Sequence, residues 1–241
     1  MSKVNYAANL AEVKARIHVA EASSGRAGAG VRLLVATKFW GPDAVVALVR
    51  AGGGSAGKVL VGESRMQELE EKGPALLAEG AKIHVIGQLQ RNKAATAVRY
   101  AQCVQTVDSL ALAERLSRLS LEAERDLDVM IQVNVSGEDT KAGVTPSEAL
   151  ALASGVQALP GLTVTGFMTI GLNSRDETPV REGYARLREV RDNALILSER
   201  GSVPLASAWE LSMGMSSDLE WAIAEGATMV RVGTAVMGRR A

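Results

Sequence analysis

Three places in this 241-residue chain carry side chains that could do chemistry, and they lie far apart in sequence. The first is Lys38, which follows the apolar run Val31–Thr37. A lysine seated on an apolar floor loses hydration, desolvation disfavours its charged form, and a neutral amine can attack a carbonyl carbon to form a Schiff base. The bland alternative is a solvated lysine that merely ends a strand. The second place is Ser212-Met213-Gly214-Met215-Ser216 together with Gly233-Thr234. Ser212, Ser216 and Thr234 bring hydroxyl donors, while Gly214 and Gly233 let backbone N–H groups approach an anion closely. The third is Arg231, a permanent cation inside the otherwise apolar Met229-Val230-Arg231-Val232. Turned inward, it would stand near Lys38 and could donate a hydrogen bond to a ring nitrogen. Turned outward, it would pair with a helix carboxylate such as Glu225.

Eight apolar runs alternating with helical segments must position these groups. The runs are Val31–Thr37, Lys58–Gly62, Ile83–Ile86, Cys103–Val107, Asp128–Val135, Leu162–Ile170, Leu205–Leu211 and Thr228–Val232. Helix starts are marked by Pro42 and by capping-box spacing at Ser64/Gln67, Thr145/Glu148 and Ser217/Glu220. Regular strand–helix alternation implies a parallel sheet. Eight units in this length predict an α/β fold, a single (β/α)8 TIM-type barrel over residues 31–238. An amphipathic N-terminal helix, with Leu10, Val13 and Ile17 on one face, and a connector occupy residues 1–30, so the whole of 1–241 reads as one domain. The competing open doubly wound sheet lacks a G-x-G-x-x-G turn after its first strand. In a barrel all the post-strand loops meet at one rim, strands one and eight are neighbours, and loops seven and eight often hold phosphate. An amine, an anion cup and a guanidinium together suit a phosphorylated aldehyde. Pyridoxal 5′-phosphate (PLP) is the commonest cofactor of that kind, though spacing alone does not name it.

Other function classes find little footing. Lys plus Arg and Asp plus Glu both number 27, and a chain without basic excess has no electrostatic pull toward nucleic acid or anionic membrane. Aromatics at 3% are too few for base-stacking platforms. Cys103 is the sole cysteine, so no intrachain disulfide can form, which fits a cytoplasmic setting. The charged N-terminus is no signal-peptide core, and the uncharged stretch Ala149–Leu172 is broken by Gly155, Pro160, Gly161 and Gly166. Gly52–Gly57 with Lys58 imitates a phosphate loop but is followed by Val59 rather than Ser or Thr, and it lies between a helix and a strand instead of the reverse. His18, His84 and Cys103 make no metal cluster; His84 reads as a hydrogen-bonded core or rim residue and Cys103 as inert packing.

The blocks VRLLVATK, VGESRMQELEEK, IGQLQRNK, IQVNVSGEDTKAGV, GFMTI and LSMGMSSDLEWAIAEGATMVRVGTAVMG, spread from Val31 to Gly238, resemble the YggS/PROSC family of pyridoxal phosphate homeostasis proteins. The resemblance implies a barrel similar to the N-terminal domain of alanine racemase. It implies PLP on Lys38 as a Schiff base, its phosphate on Ser212, Met213, Gly214, Ser216, Gly233 and Thr234, and its ring nitrogen facing Arg231. It also implies a holder and deliverer of PLP without a firm catalytic reaction, acting as a monomer with PLP-dependent apo-enzymes as partners. The chain departs from the family pattern in three places: Ser64 stands where Asn is usual, Gln88 where His is usual, and the aromatic pair before that second motif is reduced to Ile83-His84-Val85. The alternative is a PLP-dependent amino-acid racemase or lyase. A racemase would need a second acid/base group on the far ring face, commonly a tyrosine, whereas Tyr6, Tyr100 and Tyr184 all read as helix residues away from the rim. The chain also stops soon after its eighth strand, leaving no room for a second domain to supply one. A Schiff-base aldolase acting on a sugar phosphate is a third possibility.

Overall fold

The computed structural model describes residues 4–52, 59–138 and 141–238. Apart from Gly52, the glycine-rich imitation of a phosphate loop lies outside the described residues together with Lys58; so do Asp139 and Thr140 of the loop after the fifth strand. Eight parallel strands close into a barrel in sequence order: β1 (Arg32–Ala36), β2 (Leu60–Glu63), β3 (Lys82–Val85), β4 (Cys103–Val107), β5 (Leu127–Gln132), β6 (Leu162–Met168), β7 (Glu210–Ser212) and β8 (Met229–Val232). Closure comes from β1 pairing with β8, Leu34 opposite Arg231 and Val35 opposite Val232.

Both faces of each strand are covered, which is why the strands read as continuous apolar runs. One set of alternating side chains, including Val35, Val61, Val85, Val129, Phe167 and Val230, joins the large core beneath the helices. The other set fills the barrel: Leu34, Leu60 and Met229 with Ile86 form one cluster, and Cys103, Met130 and Met168 another. Across the floor, Arg32 at the start of β1 pairs with Glu210 at the start of β7.

The surrounding helices are α1 (Tyr6–Ser23), α2 (Pro42–Gly52), α3 (Met66–Ala78), α4 (Ala94–Tyr100), α5 (Leu110–Glu122), α6 (Pro146–Gln157), α7 (Glu177–Glu199), α8 (Leu219–Ala224) and α9 (Thr234–Met237). The N-terminal α1 packs on α2, α8 and α9 over the seam of the barrel. It buries Leu10, Val13 and Ile17. Arg16 forks onto Glu220 of α8, and Arg26 donates to the Ile223 and Ala227 carbonyls at the end of that helix.

Several expected boundaries move. The capping box at Thr145/Glu148 forms, with Pro146 opening α6. The one at Ser64 does not: α3 begins after Arg65, without a side-chain cap. Nor does Ser217 cap α8; Asp218 occupies that position. The seventh strand is only Glu210–Ser212, because Leu205–Trp209 forms turns in which Ala208 N–H donates to the Leu205 carbonyl. Leu205 and Ala208 are fully buried, and an apolar run does not by itself separate a buried turn from a strand. The fifth strand stops at Gln132, and Val133 bridges to Val144 instead. Ala149–Leu172 divides at Pro160-Gly161 into α6 and β6, and no helix among the described residues is long and apolar enough to cross a membrane.

Two glycines give opposite expectations for the same substitution. A Cβ on Gly166 of β6 would lie 2.1 Å from the Glu210 carbonyl oxygen, whereas one on Gly155 inside α6 would make an ordinary contact, 3.5 Å from Leu110. Gly166→Ala should lower stability in urea unfolding by about 1–3 kcal/mol. Gly155→Ala should raise it by about 0.5–1 kcal/mol.

Candidate functional site

The carboxyl ends of the strands bring Lys38, Ser64, Ser212–Ser216, Arg231 and Gly233-Thr234 to one rim. Lys38 lies two residues past β1 and shares the alternation of inward-facing Leu34. The apolar layer of Leu34, Leu60 and Ile86 lies below it, but the lysine side chain itself is exposed. Burial therefore does not supply the dry surroundings expected from the sequence. The turn that carries Lys38 has Phe39 at φ +70°, a left-handed conformation that costs a non-glycine residue about 1–2 kcal/mol.

Arg231 turns inward. It is 6% exposed, and its two terminal nitrogens donate to Ser212 Oγ at 2.9 Å and to the Thr169 carbonyl at 2.7 Å. Glu225, the partner an outward arginine would use, instead takes Arg181 and Arg188. Burial pulls the Arg231 pKa down, and the Tyr184 and Asp218 side chains oppose that pull. No carboxylate lies within ion-pairing distance of Arg231 among the described residues, so neutral oxygens alone hold this buried cation.

Behind Arg231 runs a line of hydrogen bonds through the barrel. Ser212 Oγ donates to Gln105 Oε1 at 2.7 Å, and Gln105 Nε2 donates to His84 Nδ1 at 2.8 Å. Its direction is set at both ends. Arg231 can only donate. Burial, aided by Arg32 and Lys82, pushes His84 down to about 3, and in the neutral ring Nδ1 is the acceptor because the Gln105 NH2 that faces it can only donate. The Ser212 hydroxyl, expected as a donor to an anion, is thus committed to Gln105. Gln105 itself gave no signal beyond being a polar residue in an apolar strand, the same signal that marked Arg231.

The loop after β7 is held from outside. Met213 points into the outer core and brings only its backbone to the rim. Gly214 has φ +90°, and a Cβ there would sit 2.4 Å from that of Ala222. Its carbonyl accepts the Arg231 amide at 2.9 Å. Asp218 accepts the Met215 N–H at 2.6 Å with one oxygen and the Tyr184 hydroxyl at 2.9 Å with the other. Tyr184 lies on α7, as expected, but it is not remote from the rim: its buried hydroxyl stands behind Gly214, pushed to a higher pKa by burial and then by Asp218. A large aromatic on an outer helix reaches a loop that helix periodicity cannot reveal. Ser64 and Ser216 are half-buried and Thr234 is exposed. A Cβ on Gly233 would lie 3.4 Å from the Ala36 carbonyl oxygen, so loop eight passes close to the end of β1. The amides of Thr234 and Ala235 open α9, where the first turn has no intrahelical acceptor. A cavity of about 620 Å3 lies elsewhere, between α1 and the amino ends of β1 and β2.

The neutral His84 has a pH consequence. The unfolded chain takes up its proton near pH 6.5 and the folded chain only near 3, so stability falls as pH drops through that window. His84→Gln should flatten the fall between pH 6 and 4 by up to about 1.4 kcal/mol per pH unit in urea titrations. An unchanged slope would mean that the folded protein protonates His84.

Comparison with known proteins bears on the whole barrel. The family described as alanine racemase, N-terminal domain, matches residues 8–241. A pyridoxal phosphate homeostasis protein of Pseudomonas aeruginosa is 40% identical over 97% of this chain and 95% of its own length. Among solved structures, PipY of Synechococcus elongatus without PLP superposes with a TM-score of 0.81 at 30% identity, covering 96% of this chain and 99% of PipY. PipY with PLP bound superposes with a TM-score of 0.75 at 32% identity, covering 92% of this chain and all of PipY. The chain belongs to the alanine racemase N-terminal domain family, in the branch whose curated members are named pyridoxal phosphate homeostasis proteins.

Proposed function

We propose that this protein holds PLP as a Schiff base on Lys38 and serves intracellular PLP homeostasis, without a catalytic reaction of its own. The observation that carries this reading is a buried arginine with no carboxylate partner among the described residues, on the strand that pairs with the lysine's own strand. Arg231 and the layer formed by Leu34, Leu60 and Ile86 suit the ring of a cofactor that is apolar on its faces and polar at one edge. Gly214, Ser216, Gly233 and Thr234 offer backbone and hydroxyl donors for a phosphate, and Ser64 is a further polar contact on the same rim. A phosphorylated aldehyde thus fits the donor set. PLP would supply the electrophilic aldehyde carbon that the Lys38 amine engages.

PipY with PLP bound, at 32% identity, supports the cofactor, and the name of the Pseudomonas relative supports the role. A holder is favoured over a racemase by Tyr184, whose hydroxyl is committed to Asp218 behind the phosphate loop. We take the helix-capped barrel to act as one domain and as a monomer in the cytoplasm, delivering PLP to PLP-dependent apo-enzymes. Its exposed large apolar side chains, such as Val19, Leu121 and Trp209, sit on different segments, and free Cys103 suits a reducing compartment.

Mixing the purified protein with PLP should produce a visible-edge absorption band. Borohydride should then fix one adduct, mapped to Lys38 by mass spectrometry, and Lys38→Ala should abolish both. A label on another residue, or multiple turnovers with D- or L-amino acids, would overturn the reading. Arg231→Gln should weaken PLP retention about 10–100-fold in equilibrium dialysis, as expected for losing a hydrogen bond from a charged donor.

A further inference from the structure

Lys38 is flanked by two residues that α3 grips from behind. Lys72 of α3 is 1% exposed, and its ammonium donates to the Thr37 carbonyl at 3.0 Å, to Glu63 Oε1 at 2.9 Å and to Glu68 Oε2 at 2.9 Å. All three of its protons are used. Glu63, fully buried, also accepts the Thr37 hydroxyl at 2.5 Å. Glu68 Oε2 also accepts the Phe39 N–H at 2.8 Å. The peptide groups on both sides of Lys38 are therefore fixed, one by its C=O and one by its N–H, in the left-handed turn at Phe39. The Arg65 guanidinium lies 4.1 Å from the centre of the Phe39 ring and covers the turn.

Stability does not account for this cluster. Buried ion pairs lose hydration on burial and are often no more stabilising than well-packed apolar residues of similar size. Here Glu63 Oε2 is buried without a hydrogen-bond partner, a further cost. What the cluster does achieve is direction, since two fixed peptides set where the Cα–Cβ bond of Lys38 points.

We propose that Lys72, Glu63 and Glu68 are positioning residues that aim the Lys38 amine across the rim toward the aldehyde of its ligand. This rests on Lys38 being the Schiff-base residue. In the step it assists, amine and aldehyde form a C=N bond and release one water. The cluster touches neither partner and acts through Thr37, by its carbonyl and hydroxyl, and through the Phe39 N–H.

The test uses the full-length protein, two clamp variants and one conservative control. Lys72→Met/Glu63→Leu removes the buried pair and leaves Glu68 with the Phe39 N–H and the nearby Arg65. Glu68→Ala leaves that pair intact and removes the acceptor for Phe39 together with one of the three acceptors of Lys72. Growth of the absorption band after mixing with PLP measures the aim of the amine. Affinity for pyridoxine 5′-phosphate, which carries an alcohol in place of the aldehyde, measures the rest of the site. Both variants should form the band at least about tenfold more slowly than the unmodified protein, with affinity for pyridoxine 5′-phosphate held within about twofold. Glu68→Gln, which keeps an acceptor oxygen, should restore most of the rate. Unchanged rates in both variants, or a matching loss of pyridoxine 5′-phosphate affinity, would overturn the positioning role while leaving the function intact. If the unmodified protein forms no adduct on Lys38, the function and this role fall together. Should circular dichroism show the double variant unfolded, Glu68→Ala decides alone.

Discussion

The site depends on barrel closure. Pairing β1 with β8 sets Leu34 beside Arg231, so the first and last strands reach the rim side by side. Parallel alignment then makes Lys38 and Gly233-Thr234 emerge from the same edge. The close approach of Gly233 to the Ala36 carbonyl is the local mark of that closure, and a side chain there would need the two loops to give way. The N-terminal helix reinforces this seam, because α1 lies on α2, α8 and α9, the helices that flank it.

Two buried cations are treated in opposite ways. Lys72, outside the barrel wall, is enclosed by carboxylates and a carbonyl. Arg231, inside the wall, has a serine oxygen and a carbonyl as its side-chain acceptors among the described residues. The first arrangement compensates its charge locally and fixes backbone. The second leaves positive potential at the barrel mouth, where low surrounding polarity strengthens its reach. The line Arg231–Ser212–Gln105–His84 adds a fixed sense to that mouth. Each member has its donor and acceptor roles dictated by a guanidinium at one end and a neutral imidazole at the other.

Much of this was legible in the residue order. Eight apolar runs alternating with helices announced the barrel, and six of the eight strands lie within two residues of their expected bounds at both ends. The capping box at Thr145 was legible because its geometry is local. The errors at Ser64, Ser217 and Leu205–Trp209 have a common origin. Capping spacing and apolar composition are necessary features of those elements without being sufficient, and the surrounding loops chose otherwise. Arg231 and Gln105 could be noticed as polar residues in apolar strands. When both strand faces are buried, however, hydrophobic alternation vanishes and cannot say which way a polar residue points.

By itself, then, the sequence determined the class of fold, the shared rim, and the lysine, arginine and glycines that belong to it, since these follow from apolar run lengths and from residue chemistry. Only the tertiary structure decided that Arg231 faces inward, that the Ser212 hydroxyl serves Gln105, that Tyr184 stands behind the loop after β7, and that Lys72 and Glu68 grip the two neighbours of Lys38. Each of those is a contact between segments distant in the chain or an inside–outside choice on a strand, and such facts arise from closure and packing, which no local pattern encodes.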